Sequence, residues 1–330
     1  MPAPFVSAVI PTAHRPQLVL RAVRSVLGQT IRDIEAIVVV DGDDPATMQA
    51  LASISDPRLC VKALSTRMGS AGARNAGVAE AHGRWIAFLD DDDEWFPRKL
   101  EIQLQTAEQC QYPHPIVSCR MLARSPEGDL VWPRRTPAMD EPIGEYLLCP
   151  HGLRGGEGVI LTPTILTTKD LLLRVPFGQN LPRHNDVDWL LRAVAVDGVK
   201  VVFVPDLEPL GICHMDTDRP RISNTADWRY SLDWIEAHRG LVTRRAYASF
   251  VLTSASSTAA RGSHWRAFWL LPWVAFANGK PRFIDLLAHL GIWLVPVELR
   301  SRLSVLLDTR RRAVARRTAA PSPAGPGTVA

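Results

Sequence analysis

The stretch that decides the fold of this chain is Phe88-Leu89-Asp90-Asp91-Asp92-Asp93-Glu94-Trp95. It begins in the apolar run 85–89, which has the composition of a short buried strand. Four adjacent carboxylates at the carboxyl end of a buried strand repel one another unless a positive group lies among them. In an open α/β sheet, that end of a strand is also where ligands bind.

Hard carboxylate oxygens suit Mg²⁺ or Mn²⁺, which bind through one or two protein carboxylates together with substrate phosphate oxygens. A simpler interpretation of the acidic run is a solvated loop that caps the next helix, with Pro97 in its first turn. The position of the run directly after a strand favours the cation site.

The sequence around this run predicts alternating strands and helices. Strands are expected at residues 5–10, 34–40, 59–64, 85–89 and 200–205, and helices at 18–27, 71–81 and 186–196. Alternation at this spacing predicts an α/β fold with a mostly parallel sheet between helices. Residues 112–183 are rich in Pro and Gly, and we expect them to form edge strands and a mobile loop at 151–156.

The chain has 330 residues, 46% of them hydrophobic, which is enough for one large or two medium domains. Its formal net charge of +4 is the sum of opposite net charges in two parts of the chain. Residues 1–220 contain 22 Lys and Arg against 28 Asp and Glu, a net charge of −6; residues 221–330 contain 16 against 6, a net charge of +10. An acidic first part argues against a uniformly charged nucleic-acid binder, so no nucleic-acid partner is expected.

The cellular location is predicted from three features of the sequence. The five cysteines are widely spaced without a CxxC pair, which argues against a disulfide framework or zinc cluster and indicates a reducing compartment. No basic region precedes the first apolar stretch, as a signal peptide would require. No uninterrupted apolar run reaches the ~18 residues of a spanning helix. The sequence therefore predicts a cytoplasmic protein, with peripheral attachment to the inner face of the cell membrane as an option.

Two further segments lie where a ligand would bind. Asp41 ends the second predicted strand, where its carboxylate can accept hydrogen bonds from a ribose or a base N–H; an ordinary Asp-Gly turn is the alternative. The segment 69–77 is rich in small residues that let the backbone approach a ligand, and its Arg74 can pair with phosphate. The chain has neither a Walker loop nor a GxGxxG after its first strand.

These segments together resemble the family 2 glycosyltransferases, over about residues 4–215. The matching motifs are Val9-Ile10-Pro11-Thr12, Val39-Val40-Asp41-Gly42, Ala73-Arg74-Asn75-Ala76-Gly77 and the acidic run 88–95. The resemblance implies a GT-A type nucleotide-diphospho-sugar transferase fold and an inverting reaction. It also implies that the donor, with a UDP-sugar favoured, contacts Pro11, Thr12, Arg15, Asp41, Arg74, Asp90 and Asp91. Asp90 and Asp92 form the family's DxD pair, with Asp92 the direct ligand of Mg²⁺ or Mn²⁺.

The resemblance also points to a catalytic base and a second metal contact. The family has a Glu-Asp pair at the start of a helix, and here Asn185 replaces the Glu, which leaves Asp186 as the expected base. Asp188 is the second choice, and since it lies about 200° around the helix from Asp186, both cannot face one substrate. Either carboxylate could instead complement the helix dipole. His214 is a weaker candidate for a metal or diphosphate contact, because a lone His is more often structural.

The charge division suggests three parts of the chain. We expect a catalytic domain at 1–220, with its nucleotide-sugar half at about 1–110 and its acceptor half at about 111–220, then a helical extension at 221–310 and a disordered tail at 311–330. The extension contains six of the ten Trp and a basic cluster, namely Arg300, Arg302, Arg310, Arg311, Arg312, Arg316 and Arg317. It is either a helical subdomain packed on the sheet or a contact with an anionic membrane surface.

The sequence therefore supports one function above two others. The first is a metal-dependent inverting glycosyltransferase that acts on a glycan or lipid-linked acceptor in cell-envelope or exopolysaccharide synthesis. A non-catalytic module that binds sugar nucleotides or glycans is the alternative, favoured by Asn185 and opposed by the intact aspartates. A nucleotidyltransferase would show a Gly-rich basic signature near the first strand, and this sequence has none there.

Overall fold

The computed structural model of the chain describes residues 5–126, 128–152, 157–205, 207–215, 227–296 and 299. Its strands are β1 (Val6–Thr12), β2 (Ile34–Asp41), β3 (Leu59–Leu64), β4 (Trp85–Phe88), β5 (Glu94–Trp95), β6 (His114–Ser118), β7 (Met121–Ser125), β8 (Gly128–Trp132), β9 (Leu166–Thr168), β10 (Val199–Phe203) and β11 (Gly211–His214). Its α-helices are α1 (Pro16–Leu27), α2 (Pro45–Leu51), α3 (Gly69–Glu80), α4 (Lys99–Gln109), α5 (Ile143–Leu148), α6 (Lys169–Arg174), α7 (Asn185–Ala193), α8 (Trp228–Ala237), α9 (Arg244–Phe250), α10 (Ser256–Arg261), α11 (Trp265–Asn278) and α12 (Phe283–Leu294).

A seven-stranded sheet in the order β10-β6-β9-β4-β1-β2-β3 forms the centre of the fold. The pairs of β1 with β2, β1 with β4, β2 with β3 and β6 with β10 are parallel, and β9 runs antiparallel to both of its neighbours. β1 is buried along its whole length because alternate residues face two separate cores. Val6, Ala8 and Ile10 pack in a cluster with α1, while Val9 packs in the cluster that contains residues of α3.

The prediction of edge strands within residues 112–183 is wrong for three of the four strands formed there. β7 lies between β11 and β8 in a second, smaller sheet. β6 and β9 both lie inside the large sheet, with β10 at its edge. β9 has only three residues, too few to show a strand period in the sequence. β1 also extends two residues past the predicted end at Ile10. Pro11 is tolerated within the strand because β4 pairs with β1 only as far as Val9, so no hydrogen bond from the Pro11 nitrogen is needed on that side.

A second sheet, in the order β5-β11-β7-β8, lies next to the first along the chain. Residues 89–93, which contain the four aspartates, connect β4 of the large sheet to β5 of the small one. Helix α4 begins at Lys99 without a side-chain cap. The acidic run therefore lies where the chain passes from one sheet to the other, and it does not cap the following helix.

The helices after residue 227 pack on the sheet-bearing part of the chain. Trp234 and Phe250 are buried in a cluster that also contains Leu191 of α7. An ion pair of 2.6 Å between Glu145 of α5 and Arg245 of α9 crosses the same boundary. The described part of the extension is thus a packed helical layer, and none of its helices, nor any other in the described ranges, is long and apolar enough to cross a membrane. The predicted tail, the arginines from Arg300 onward and residues 153–156 lie outside the described residues.

Helix α3 approaches the sheet closely at Gly77, and this contact gives a first prediction. A Cβ at Gly77 would overlap Val9 Cγ1 and lie 3.1 Å from Val39 Cγ2. We expect Gly77→Ala to lower the free energy of unfolding by about 1–2 kcal/mol, because overpacking outweighs the gain in helix propensity. In α12, a Cβ at Gly291 meets nothing within 4 Å, so Gly291→Ala should instead stabilise the protein by up to about 1 kcal/mol. Urea denaturation measures both, and equal stability of the two variants would contradict the close approach.

A second prediction concerns His184, which precedes α7 with a φ of 66°. Its ring packs on Trp234 and Phe250, its Nε2 lies 3.0 Å from Ser231 Oγ, and burial lowers the pKa of the imidazole to about 4. Because an unfolded His titrates near 6.5, the unfolded chain binds a proton between pH ~6.5 and ~4 that the folded chain does not. The stabilising contribution of the neutral imidazole is therefore complete above pH ~6.5 and falls by at most about 3 kcal/mol toward pH ~4.

His184→Asn removes this titration and keeps a side chain that tolerates the left-handed conformation. We expect the difference in unfolding free energy between the wild type and this variant to be smaller at about pH 4.5 than at about pH 7, by roughly 2 kcal/mol. Urea denaturation at the two pH values measures that difference. Parallel pH profiles for the two proteins would show that His184 is not the group responsible.

Candidate active site

Exposure alternates along the four aspartates of the acidic run. The side chains of Asp91 and Asp93 are almost completely buried, whereas those of Asp90 and Asp92 are 35% and 23% exposed. The four carboxylates therefore do not form one solvated cluster. One pair is held inside the protein and the other pair faces outward at the end of β4.

Asp91 is held by the start of the chain. Its two carboxylate oxygens accept hydrogen bonds of 2.8 Å from Thr12 Oγ1 and 2.9 Å from Arg15 Nη1. Burial raises the pKa of Asp91 to about 6, and the guanidinium of Arg15 opposes that rise. The predicted nucleotide contacts Pro11, Thr12 and Arg15 thus adjoin the acidic run through the end of β1.

Asp93 ties the two sheets together. Its Oδ1 accepts the backbone N–H of His214 at 3.0 Å, and burial raises the pKa of Asp93 well above its ordinary range. The imidazole of His214 lies 2.9 Å from Glu94 Oε1, and Glu94 lies 3.3 Å from Arg21 Nε. Arg21 also donates a 2.6 Å hydrogen bond to the carbonyl oxygen of Asp92. The structure therefore places His214 beside the acidic run, where its backbone N–H contacts the Asp93 carboxylate and its imidazole contacts the Glu94 carboxylate.

Arg74 connects the acidic run to helix α7. The guanidinium is buried on α3 and donates from Nη2 to Asp90 Oδ1 at 2.6 Å, while its Nη1 lies 3.7 Å from Asp186 Oδ1. Burial disfavours the charged guanidinium, but the carboxylates of Asp90 and Asp186 favour it and leave the pKa of Arg74 raised. One buried cation thus brings together two carboxylates that are 96 residues apart in the sequence.

Asn75, the residue after Arg74, fixes the loop that contains Phe177, whose ring lies against the Arg74 guanidinium. Asn75 Nδ2 donates to the carbonyl oxygen of Phe177, and Asn75 Oδ1 accepts the N–H of Phe177, both at 2.9 Å. The Phe177 ring lies 5.5 Å from the Arg74 guanidinium and stacks on Trp189. Trp189 is fully buried and donates its indole N–H to the carbonyl oxygen of Val175, so it is a packing residue.

The two candidate bases on α7 have different surroundings. The side chain of Asp186 is 34% exposed; burial raises its pKa and the charge of Arg74 opposes the rise. Asp188 is 5% exposed and is paired with Arg192 at 2.6 Å and with His238 of the extension at 2.8 Å. Asp186 therefore faces the acidic run, and Asp188 joins α7 to the helical layer. Asn185 donates from Nδ2 to the carbonyl oxygen of Leu181 at 3.1 Å, toward the preceding loop.

Asp41 holds the loop that begins α3. Its Oδ1 accepts the N–H of Met68 at 2.7 Å and its Oδ2 accepts the N–H of Gly69 at 2.9 Å. Gly42 follows with a φ of +99°, so the turn predicted from Asp41-Gly42 is formed. The carboxylate therefore shapes the small-residue segment at the edge of the sheet, and its contact with a ribose or base stays a prediction.

The acidic run suits a cation that takes most of its ligands from substrate and water. In the ranges that the structure describes, no group of three or more His, Cys, Asp or Glu side chains could hold a metal ion. Mg²⁺ and Mn²⁺ need only one or two carboxylates when a diphosphate supplies the other oxygens. The partly exposed Asp90 and Asp92 have the donor chemistry and the accessibility for that role.

Sequence patterns did not identify Arg21 and Glu94 as residues of the site, and they predicted a phosphate contact for Arg74 without a protein partner. The only signal for these residues was their charge. Their contacts join different elements, most of them far apart in sequence, and such contacts leave no trace in the periodicity of either element.

Comparison with known proteins identifies the family of this chain. Residues 7–172 match the model for glycosyl transferase family 2. The amylovoran biosynthesis glycosyltransferase AmsB of Erwinia amylovora is 28% identical over 249 residues, which are 72% of this chain and 79% of that protein. The UDP-Glc:alpha-D-GlcNAc-diphosphoundecaprenol beta-1,3-glucosyltransferase WfgD of Escherichia coli is 36% identical over 100 residues, 30% of this chain and 40% of that protein.

A solved structure supports the fold. The crystal structure of S. aureus TarS 1–349 in complex with UDP-GlcNAc superposes with a TM-score of 0.55 over 87% of this chain and 90% of that one. At 14% identity, this similarity shows a shared fold. Since the family model covers half of the chain, this protein belongs to glycosyltransferase family 2 and has the GT-A fold that the resemblance implied.

Proposed function

We propose that this protein transfers a sugar from a nucleoside-diphosphate sugar to an acceptor hydroxyl, with inversion at the anomeric carbon, in the synthesis of an exopolysaccharide or cell-envelope glycan. The observation that carries the proposal is the buried Arg74, which brings Asp186 to the strand end where Asp90 and Asp92 face outward. Two relatives support the biological setting by their names, one in amylovoran biosynthesis and one acting on a diphosphoundecaprenol-linked sugar. A non-catalytic binding module is not favoured, since the family and the relatives are glycosyltransferases.

The donor would lie at the carboxyl ends of β1 and β2. Thr12 and Arg15 adjoin Asp91 there, and Asp41 shapes the small-residue segment at the start of α3, where a nucleotide can approach the backbone closely. TarS holds UDP-GlcNAc on the same fold, which supports a UDP-sugar as the donor here. The guanidinium groups of Arg15 and Arg74 would offset the charge that a diphosphate adds to this acidic edge.

Asp92, paired with Asp90 as a DxD motif, would hold Mg²⁺ or Mn²⁺, with His214 as a further candidate ligand. When bound, the cation would neutralise the negative charge that develops on the departing diphosphate. Arg15 keeps the Asp92 carboxylate at the end of β4 through a contact of 3.3 Å, and Asp91 in turn holds Arg15 in place.

Asp186 would act as the base. It accepts the proton of the acceptor hydroxyl while that oxygen attacks the anomeric carbon from the side opposite the diphosphate, and a single displacement of this kind inverts the centre. Its raised pKa makes the carboxylate a stronger proton acceptor, and the Arg74 guanidinium keeps it ionised. The partial exposure of Asp186 leaves room for the acceptor.

The assignment of the base can be tested by comparing Asp186→Asn with Asp188→Asn. We expect Asp186→Asn to lower kcat at least about 100-fold, because the hydroxyl loses its proton acceptor. Donor affinity should change little, and the loss of stability should be smaller than in Asp188→Asn because Arg74 keeps its 2.6 Å hydrogen bond to Asp90. Asp188→Asn removes one member of a buried ion-paired group and should lower the free energy of unfolding by about 3 kcal/mol. Nucleoside-diphosphate release and urea denaturation give the two readouts. Wild-type turnover in Asp186→Asn would refute its role as the base.

The metal role is tested separately. We expect EDTA to abolish nucleoside-diphosphate release by the wild type and Mn²⁺ to restore it. Asp92→Asn should raise the Mn²⁺ concentration needed for half-maximal turnover at least about tenfold, since a ligand carboxylate loses its charge. Asp43, an exposed carboxylate in the neighbouring loop, provides the matched control variant Asp43→Asn, which should behave as the wild type. Full activity of the EDTA-treated enzyme would contradict the metal assignment.

A further inference from the structure

Helices α11 and α12 carry a continuous set of exposed apolar side chains, which we call the outer face. Its members are Trp265, Trp269, Trp273 and Phe276 of α11 and Phe283, Leu290 and Leu294 of α12. Trp269 and Trp273 are 77% and 68% exposed. On α11 the members fall at spacings of three and four residues, so they form one stripe along the helix. An exposed aromatic stripe of this size marks an interaction surface.

Helix α11 is apolar on both its buried and its exposed side, and α12 is inverted relative to a helix that faces water. α11 buries the opposite side, where Ala267, Leu271 and Ala275 pack on the layer beneath. α12 buries two polar residues, Asp285 and His289. Because water-facing helices place polar residues outward and apolar residues inward, this arrangement indicates an apolar environment outside the outer face.

The buried polar residues of α12 are satisfied inside the protein. Asp285 accepts hydrogen bonds of 2.5 Å from Ser249 Oγ and 2.7 Å from the N–H of Arg282. His289 Nδ1 lies 2.9 Å from Ser256 Oγ. These bonds hold α12 in one rotational setting on the helices beneath it, so the exposure of its apolar side is built into the packing.

The charge around the outer face is positive. Arg261, Arg266, Lys280 and Arg282 are exposed on or beside α11 and α12, whereas the one carboxylate within residues 261–296, Asp285, is buried. The contribution of these cations to binding an anionic surface depends on salt, since exposed charges are screened.

A cleft of about 420 Å³ lies at the C-terminal end of α11. Its Arg239 forms an ion pair of 3.2 Å with Glu236, and its Arg244 is exposed. Arg239, Thr243, Arg244, Tyr247 and Asn278 line it, together with Ala277 and Val242. Ala277 lies one turn beyond Trp273 on the same row of the helix, so the cleft continues the aromatic stripe. A guanidinium-lined cleft next to exposed Trp side chains suits the phosphate group of a lipid whose chains lie against the stripe.

We propose that the outer face seats this protein in the headgroup layer of a membrane containing anionic lipids, with the Arg239–Arg244 cleft receiving a lipid phosphate. Trp side chains favour that layer because one end of the ring is apolar and the indole N–H is polar. Helices α11 and α12 have 14 and 12 residues, so they lie along the surface and do not cross it. A second copy of the chain fits less well, since a two-fold contact would bring like-charged rims together. Binding of the outer face to a membrane does not depend on the proposed reaction.

Vesicle flotation of the 330-residue chain tests the proposal. We expect binding to phosphatidylcholine vesicles that contain about a third phosphatidylglycerol, weaker binding without the anionic lipid, and partial release at about 0.5 M salt. Trp269→Ser/Trp273→Ser should lower the partition coefficient at least about tenfold, as buried aromatic area is lost. The matched control Met139→Ser/Leu173→Ser removes two exposed apolar residues from elsewhere and should bind as the wild type.

The cleft has its own pair of variants. Arg244→Gln should weaken binding to the anionic vesicles severalfold and leave binding to pure phosphatidylcholine unchanged. Arg32→Gln, at an exposed arginine on the sheet-bearing part, should have no effect on either. Soluble inorganic phosphate at the same concentration as the lipid phosphate should not compete, because the apolar contact belongs to the lipid.

Three results would overturn the proposal: no flotation with anionic vesicles at low salt, equal losses in the outer-face and control variants, or self-association that Trp269→Ser/Trp273→Ser abolishes. The last would show that a second copy covers the outer face. Donor turnover measured without vesicles should be the same in all of these variants, which separates a failure of this proposal from a failure of the proposed reaction.

Discussion

The rest of the site depends on the burial of one cation, Arg74, between two carboxylates. A guanidinium removed from water is stable only when it is paired, and here the partners are Asp90 at the end of β4 and Asp186 in the first turn of α7. The three residues come from separate parts of the chain. Their pairing therefore holds the strand end that carries the acidic run next to the helix that carries the proposed base. Without the cation, the two carboxylates would repel each other.

Burial alternates along the four aspartates of the acidic run, and this arrangement separates carboxylates that would otherwise repel one another. Asp91 and Asp93 turn inward, where Thr12, Arg15 and the backbone of His214 supply hydrogen bonds, and Asp90 and Asp92 turn outward. Residues 90–93 form a turn closed by a 3.1 Å hydrogen bond from the Asp93 N–H to the Asp90 carbonyl oxygen, and in this turn two of the aspartate side chains are buried and two are partly exposed. The inward pair fixes the loop between the two sheets, and the outward pair gives the loop its chemistry.

The helical layer has two different surfaces, one that contacts α7 and one that is exposed. Through His238 it pairs with Asp188, which fixes α7 and with it the position of Asp186. On its far side, α11 and α12 present Trp and Phe side chains outward while polar residues are satisfied within. The same layer thus supports the helix that carries the proposed base and provides an apolar surface of quite different character.

Several features of the fold and the family of this protein were determined by its sequence alone. The parallel strands, the family and the position of the acidic run at a strand end follow from local patterns and motifs, because a buried strand that ends in carboxylates has few structural uses. Only the tertiary structure decided the interior placement of β6, β7 and β9, the pairing of Arg74 with Asp90 and Asp186, and which of Asp186 and Asp188 faces the acidic run. These features depend on contacts between residues tens of positions apart, and the burial and partners of a charged side chain are properties of the packed molecule that no local pattern contains.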